Sequence, residues 1–156
     1  LSFDYNGLLQ GNICLQREEG SGCPNIQTLT SSQLGPDAQH APVTVERIEK
    51  TATPLDDENF FVDLKITLRN IGGGEISGDK KTINNFNLRT VTGEGKFECS
   101  AEEPVFSNNA AIINCFSNNL KAEETSNEFP LFISYSFPYK MRIKAGPIPL
   151  VKINER

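Results

Sequence analysis

The stretch from Phe61 to Arg69 narrows the outcome most. Val62, Leu64, Ile66 and Leu68 alternate there with Asp63, Lys65, Thr67 and Arg69. Period two over this length gives an extended strand with one buried and one wetted face, whereas a helix would scatter the same apolar groups around its axis.

A second alternation runs through Leu131, Ile133, Tyr135 and Phe137 and keeps its odd phase past Pro138 into Tyr139, Met141 and Ile143. Lys140, Arg142 and Lys144 take the opposite face. Pro138 has no N–H for a ladder, so the stretch is expected to be two strands, a bent strand, or a strand at a sheet edge. The basic stripe suits an exposed edge, where Lys discourages unwanted pairing.

Weaker strands are expected at Val43 to Thr51, Ile83 to Val91, Lys96 to Cys99 and Ala110 to Phe116. Gly72-Gly73-Gly74, Thr92-Gly93-Glu94-Gly95 and Asn108-Asn109 punctuate them. Asn119 to Glu128 has room for one helical turn but lacks an apolar stripe. This spacing predicts an all-β fold, an immunoglobulin-like antiparallel β-sandwich with short loops and little helix.

Residues 1–40 read as a strand-and-loop N-terminal extension. Strand-like pieces at Leu1 to Tyr5 and Asn12 to Gln16 lead through Gly20-Ser21-Gly22 into a polar stretch from Ser31 to Ala41 that contains Gly35-Pro36. No repeat and no long linker divides the chain, so residues 1–156 are expected to form a single domain.

Composition excludes some partners. The hydrophobic fraction is 37% and the mean hydropathy is −0.36. No run approaches the about 20 apolar residues of a membrane helix. A formal charge of −5 repels a polyanion, and no Lys/Arg cluster interleaves with aromatics, so no nucleic-acid partner is expected. The chain opens at Leu1 without the pattern of a signal peptide, which reads as a processed mature chain.

The four cysteines, Cys14, Cys23, Cys99 and Cys115, form no C-x-x-C pair, and His40 is the only histidine. That spacing favours disulfides over zinc. Three connectivities are open, with four buried free thiols as the other reading; the early and late grouping favours Cys14 with Cys23 and Cys99 with Cys115. Each bridge would contribute about 2.5–3 kcal/mol and implies an oxidising compartment.

Catalytic candidates are few. A Ser or Cys nucleophile needs a base, and His40 lies in a Pro/Gly-flanked stretch without a visible partner arrangement. Paired acids occur at Asp56-Asp57-Glu58, Glu102-Glu103 and Glu123-Glu124, all in expected turns, where solvated charge is the ordinary role. Asp56, Asp57 and Glu58 are the best calcium candidates, yet they lack the D-x-[DN]-x-[DN]-G spacing. No cofactor and no metal is expected.

The glycine triplet follows a strand, as a phosphate loop would, but no G-x-x-x-x-G-K-[ST] pattern accompanies it, so it reads as a flexible hairpin connection. Tyr5 and Tyr139 are conceivable sugar platforms, with core packing the alternative. Fifteen asparagines occur and none begins an N-x-[ST] sequon, so N-glycosylation is not expected.

The opening residues carry the functional expectation. Leu1, Phe3 and Tyr5 alternate with Ser2 and Asp4, and an apolar-alternating strand has to be buried somewhere. It either pairs within its own sheet or enters an edge groove of the next subunit, a head-to-tail contact that propagates into a filament.

Cys14 to Cys23, then Ala41 to Lys50, then Leu64 to Gly74 follow one another in an order that resembles uncharacterised archaeal cell-surface proteins with immunoglobulin-like domains. The stretch ending in Arg69-Asn70-Ile71-Gly72 is similar to the CARDB adhesion sandwich, whose strand commonly ends in an N-x-G turn. The resemblance covers roughly residues 41–75, implies an extracellular location and supplies no catalytic residues.

The function expected is non-enzymatic: an extracellular subunit of a cell-surface filament, pilus-like thread or layer, self-associating by donor-strand complementation. The alternative is an adhesion module binding a glycan or protein through Asn84-Asn85, Asn108-Asn109 or Asp56-Asp57-Glu58.

Overall fold

The alternation around Val62 becomes β4 (Asn59–Asn70), in which Val62, Leu64, Ile66 and Leu68 are all fully buried. Each such side chain is worth about 1.5–3 kcal/mol of apolar burial. The computed structural model describes residues 1–15, 22–78, 81, 83–90, 97–100, 104–121 and 128–142.

The described strands are β1 (Ser2–Cys14), β2 (Ile26–Thr30), β3 (Val43–Pro54), β4, β5 (Glu75–Ile76), β6 (Asn84–Thr90), β7 (Glu98–Cys99), β8 (Ala110–Lys121) and β9 (Glu128–Lys140). They form two antiparallel sheets. In the first, β9 is flanked by β1 on one side and by β5 and β6 on the other. The second runs β2-β3-β4-β8-β7. Side chains of both sheets meet in one apolar core. The Tyr135 hydroxyl crosses it to donate to the Val43 carbonyl at 2.8 Å.

Among the described residues, helix is limited to a 3-10 turn at Ser31–Gln33 and one turn at Asp37–His40. His40, expected in a loop, ends that turn and is exposed.

β9 corrects the edge-strand expectation. It runs unbroken through Pro130 and Pro138 with every odd-numbered residue from Phe129 to Tyr139 buried, and it has neighbours on both sides. Leu1 and Met141 exchange both backbone hydrogen bonds, at 3.1 and 2.9 Å. Odd residues of β9 therefore bond towards β1, and even ones, both prolines included, turn their N towards β5 and β6. Pro138 lies just past the end of β5, where the Ser77 amide still donates to its carbonyl at 2.8 Å. At Pro138 one ladder bond is forgone, the one its own N would have donated. Lys140 and Arg142 are exposed beside this central strand, while Ile143 and Lys144 lie outside the described residues.

The described part of residues 1–40 joins both sheets: Ser2 to Tyr5 and Asn12 to Cys14 belong to one strand in the first sheet, Ile26–Thr30 forms a strand of the second, and Leu9, Ile13, Leu29, Leu34 and Ala38 enter the common core. Gln16 and Gly20-Ser21 lie outside the described residues, as do Val91, Lys96, Thr92 to Gly95, Glu102-Glu103 and Glu123-Glu124.

The glycine triplet is likewise no hairpin: it carries the chain from β4 in one sheet to β5 in the other. Ile71 and Gly72 both donate to the Pro42 carbonyl at 2.9 Å, and the Gly74 amide donates to Tyr139 Oη at the same distance.

Bulges account for further departures. Register shifts at Val45/Arg47, so the inward phase of β3 changes from Val43 and Val45 to Ile48, Lys50 and Ala52. Asn118-Asn119 falls within β8 beside the shift at Phe60/Val62. Asn85, with φ 52°, accompanies the irregularity between Asn84 and Asn87 in β6. Asn108-Asn109 does form a turn, with φ 53° and 63° and paired bonds between Ser107 and Ala110, the signature of a primed hairpin turn.

Candidate functional site

β1 brings together most of what the sequence singled out. It pairs with β9 along its whole length, Ser2 with Lys140 through Cys14 with Glu128, and among the described residues no strand pairs with its other side. Even-numbered N–H and C=O groups of β1 point to that open side. Part of it is covered near the far end: the Gln10 amide donates to the Leu34 carbonyl at 3.4 Å and the Cys14 amide to Gln27 Oε1 at 3.1 Å. A groove of about 360 Å³ lies alongside, between Leu8–Asn12 and Gln33–Pro36, with Phe132 at its wall.

Leu1, Phe3 and Tyr5 sit at the start of this arrangement. Leu1 is 72% exposed, and its backbone is bonded to that of Met141. Phe3 lies opposite Tyr139, ring centroids 5.8 Å apart, and Tyr5 stacks on Phe137 at 5.1 Å. The strand expected to be donated to a neighbour is thus housed in its own chain. Tyr139 is fully buried and so presents no sugar platform, and Tyr5 is half-buried against Phe137.

The next inward positions are Gly7, Leu9, Gly11 and Ile13. At Gly7 a Cβ would come within 2.7 Å of Tyr135 Cζ, and at Gly11 within 2.7 Å of Leu34 Cδ2. Absence of a side chain lets these neighbours lie against the backbone. Sequence reading missed both glycines because a glycine contributes nothing to an apolar alternation.

The far end of β1 is clamped. Cys14 is bonded to Cys23, and Lys50 Nζ donates to the carbonyls of Cys14 and of Pro24, the latter at 2.9 Å. Burial lowers the Lys50 pKa from 10.5 to about 8, because the charged form loses hydration that two carbonyls only partly replace. Lys50 follows Ile48 on the inward phase of β3, and that phase is the signal by which it could have been found. Cys99 and Cys115 form the second disulfide, between residues directly opposite in β7 and β8.

Asp56, Asp57 and Glu58 occupy the β3–β4 turn. Asp56 Oδ1 accepts from the Glu58 and Asn59 amides at 2.8 and 2.7 Å, and its carboxylate also takes the Asn59 side-chain amide. Those bonds, the Asn59 side chain first, hold its carboxyl below the usual carboxylate range. This acid caps its own turn, and no group of three His, Cys, Asp or Glu side chains suited to a metal occurs among the described residues.

No family model matches the chain, and neither a curated protein nor a solved structure matches it. These comparisons show no resemblance to the archaeal surface proteins, to the CARDB sandwich or to any other named family.

A second concavity, of about 210 Å³, is lined by Asn70, Glu75, Lys81, Phe106 and the Asn108-Asn109 turn. The Asn84-Asn85 and Asp56–Glu58 segments do not line it.

Proposed function

We propose that this chain is a non-enzymatic structural subunit that self-associates outside the cell into a filament, pilus-like thread or layer by β-strand complementation, with Leu1, Phe3 and Tyr5 leading the exchanged strand. The supporting observation is the position of β1: a 13-residue strand at the edge of its sheet, laddered to β9 alone among the described strands and clamped at its Cys14 end. Short of the Cys14 end, which the chain's own disulfide holds, a β1 from a second copy would make the same bonds and ring contacts with β9 as the resident strand does. Exchange then costs little in contact energy, and effective concentration decides between the closed monomer and the chain of subunits.

The extracellular location draws on the two disulfides, which oxidising compartments favour. The absence of catalysis draws on the dispersal of candidate groups: His40 is exposed at a helix end and Asp56 is engaged in its own turn. We read the two sheets, between which the chain passes at β1–β2, β4–β5, β6–β7 and β8–β9, as an immunoglobulin-like sandwich.

Deleting Leu1 to Tyr5 from the full chain tests the reading. Polymers seen by negative-stain microscopy should disappear while circular dichroism reports a folded monomer; polymers that persist would sink it. The concavity at Asn108-Asn109 favours a second reading, an adhesion module for a small polar ligand such as a glycan. A monodisperse chain that binds a glycan array, and loses binding on Asn109→Ala, would support that one.

A further inference from the structure

We infer that Gly7 and Gly11 are specificity-determining residues of a self-recognition slot: the place beside β9 that the resident β1 fills accepts a β1 strand from a second copy of this chain, in one register only. This rests on the strand-exchange reading above and adds to it what the slot selects.

Lining the slot are, in order, Tyr139 opposite Phe3, Phe137 opposite Tyr5, Tyr135 opposite Gly7, and Leu29 with Leu34 at Gly11. Tyr135 is the rigid element. Its ring atoms stand 2.7, 2.9 and 3.0 Å from where a Gly7 Cβ would be. The ring is 3% exposed, its hydroxyl is tied to Val43 at 2.8 Å, and it stacks on Phe137 at 6.0 Å. It cannot swing aside without losing a buried hydrogen bond. Leu34 is a softer stop, since the atom met there is a terminal methyl, although the side chain is buried.

Register follows from this pattern. A two-residue slip sets Tyr5 or Leu9 under the Tyr135 ring, and a four-residue slip sets Phe3 there or Leu15 against Leu34. A one-residue slip turns Asp4 and Asn6 towards the core. The sequence Phe-x-Tyr-x-Gly-x-Leu-x-Gly-x-Ile, residues 3–13, matches the slot once. Hydrogen bonds to β9 would hold any extended strand; the two glycines decide which strand fits.

The test uses the full chain and a fluorescent synthetic peptide of residues 1–13, with uptake read by anisotropy. The wild-type peptide should enter the wild-type chain slowly, in competition with the resident strand, and a Gly7→Val peptide should enter at least tenfold less. In a Gly7→Val full chain the resident strand no longer fits, so the wild-type peptide should enter faster and raise the melting temperature. Should that variant fail to fold, the two peptides on the wild-type chain still decide. Equal uptake of both peptides would overturn the selectivity while leaving strand exchange standing. No uptake of either peptide by any chain would overturn exchange, and this inference with it.

Discussion

Lys50 reaches from β3 to the carbonyl of Cys14, the residue whose sulfur is bonded to Cys23. One buried ammonium and one disulfide thus hold the same strand end, and the Cys14 amide is taken by Gln27. β1 is clamped where it leaves the sheet, and where it begins it carries its ladder and two ring contacts.

Replacing Lys50 should expose that clamp. Lys50→Met keeps the volume but leaves the Cys14 and Pro24 carbonyls without their donor, a loss of about 1–3 kcal/mol for each buried group. With a folded pKa of about 8 against 10.5, the unfolded chain binds the extra proton between those values. Stability from this group therefore rises with pH across that window, and the cost of the buried charge is felt in full below it. Urea midpoints of wild type and variant at pH 7 and pH 10 should show a deficit that widens at the higher pH. A deficit independent of pH would contradict the assignment.

Each disulfide should be worth a similar amount globally and something different locally. Removing either pair by Ser substitution is expected to cost about 3 kcal/mol, or about 6–12 °C in Tm for a domain of this size. Hydrogen exchange should separate them. Loss of Cys14–Cys23 speeds amides towards the end of β1, and loss of Cys99–Cys115 speeds those of β7, which is only two residues long.

Tyr139 and the glycine triplet should behave as one unit. Tyr139 Oη donates to Asn70 Oδ1 at 3.0 Å and accepts from the Gly74 amide at 2.9 Å. Tyr139→Phe strands both partners, so a loss of about 1–3 kcal/mol is expected. At Gly72 a Cβ would collide with that same hydroxyl and with Pro42. Gly72→Ala should therefore destabilise the wild type more than it destabilises the Tyr139→Phe background. Additive effects in a double-mutant cycle would show the two sites to be independent.

Arg69 and Glu46 provide the contrast. Their side chains meet at 2.8 Å but are 45% and 41% exposed. Arg69→Ala should cost no more than about 1 kcal/mol, and less in high salt, because solvent screens such pairs. A loss comparable to that of Lys50→Met would mean that the outer face of this sheet is covered in solution.

Much of the fold was legible. Val62 to Leu68 and Leu131 to Tyr139 announced their buried faces by alternation, because a strand presents successive side chains to opposite sides whatever it pairs with. The grouping of the cysteines anticipated both bridges, since short loops bring their ends together readily. β2 and β5 went unseen: one is five residues long with an exposed Ile26, the other two residues long, and neither shows a period.

What the sequence determined alone is the strand character of this chain and the faces its longest strands would bury, because period and composition are properties of a single segment. Only the tertiary structure decided that Pro138 can sit in a central strand, that Lys50 can be buried, and that Gly7 and Gly11 belong to one continuous β1. Each of those depends on what arrives from elsewhere in the chain. A missing N–H matters only if a partner faces it, a buried ammonium is tolerable only where carbonyls meet it, and an absent side chain has meaning only when Tyr135 fills the space.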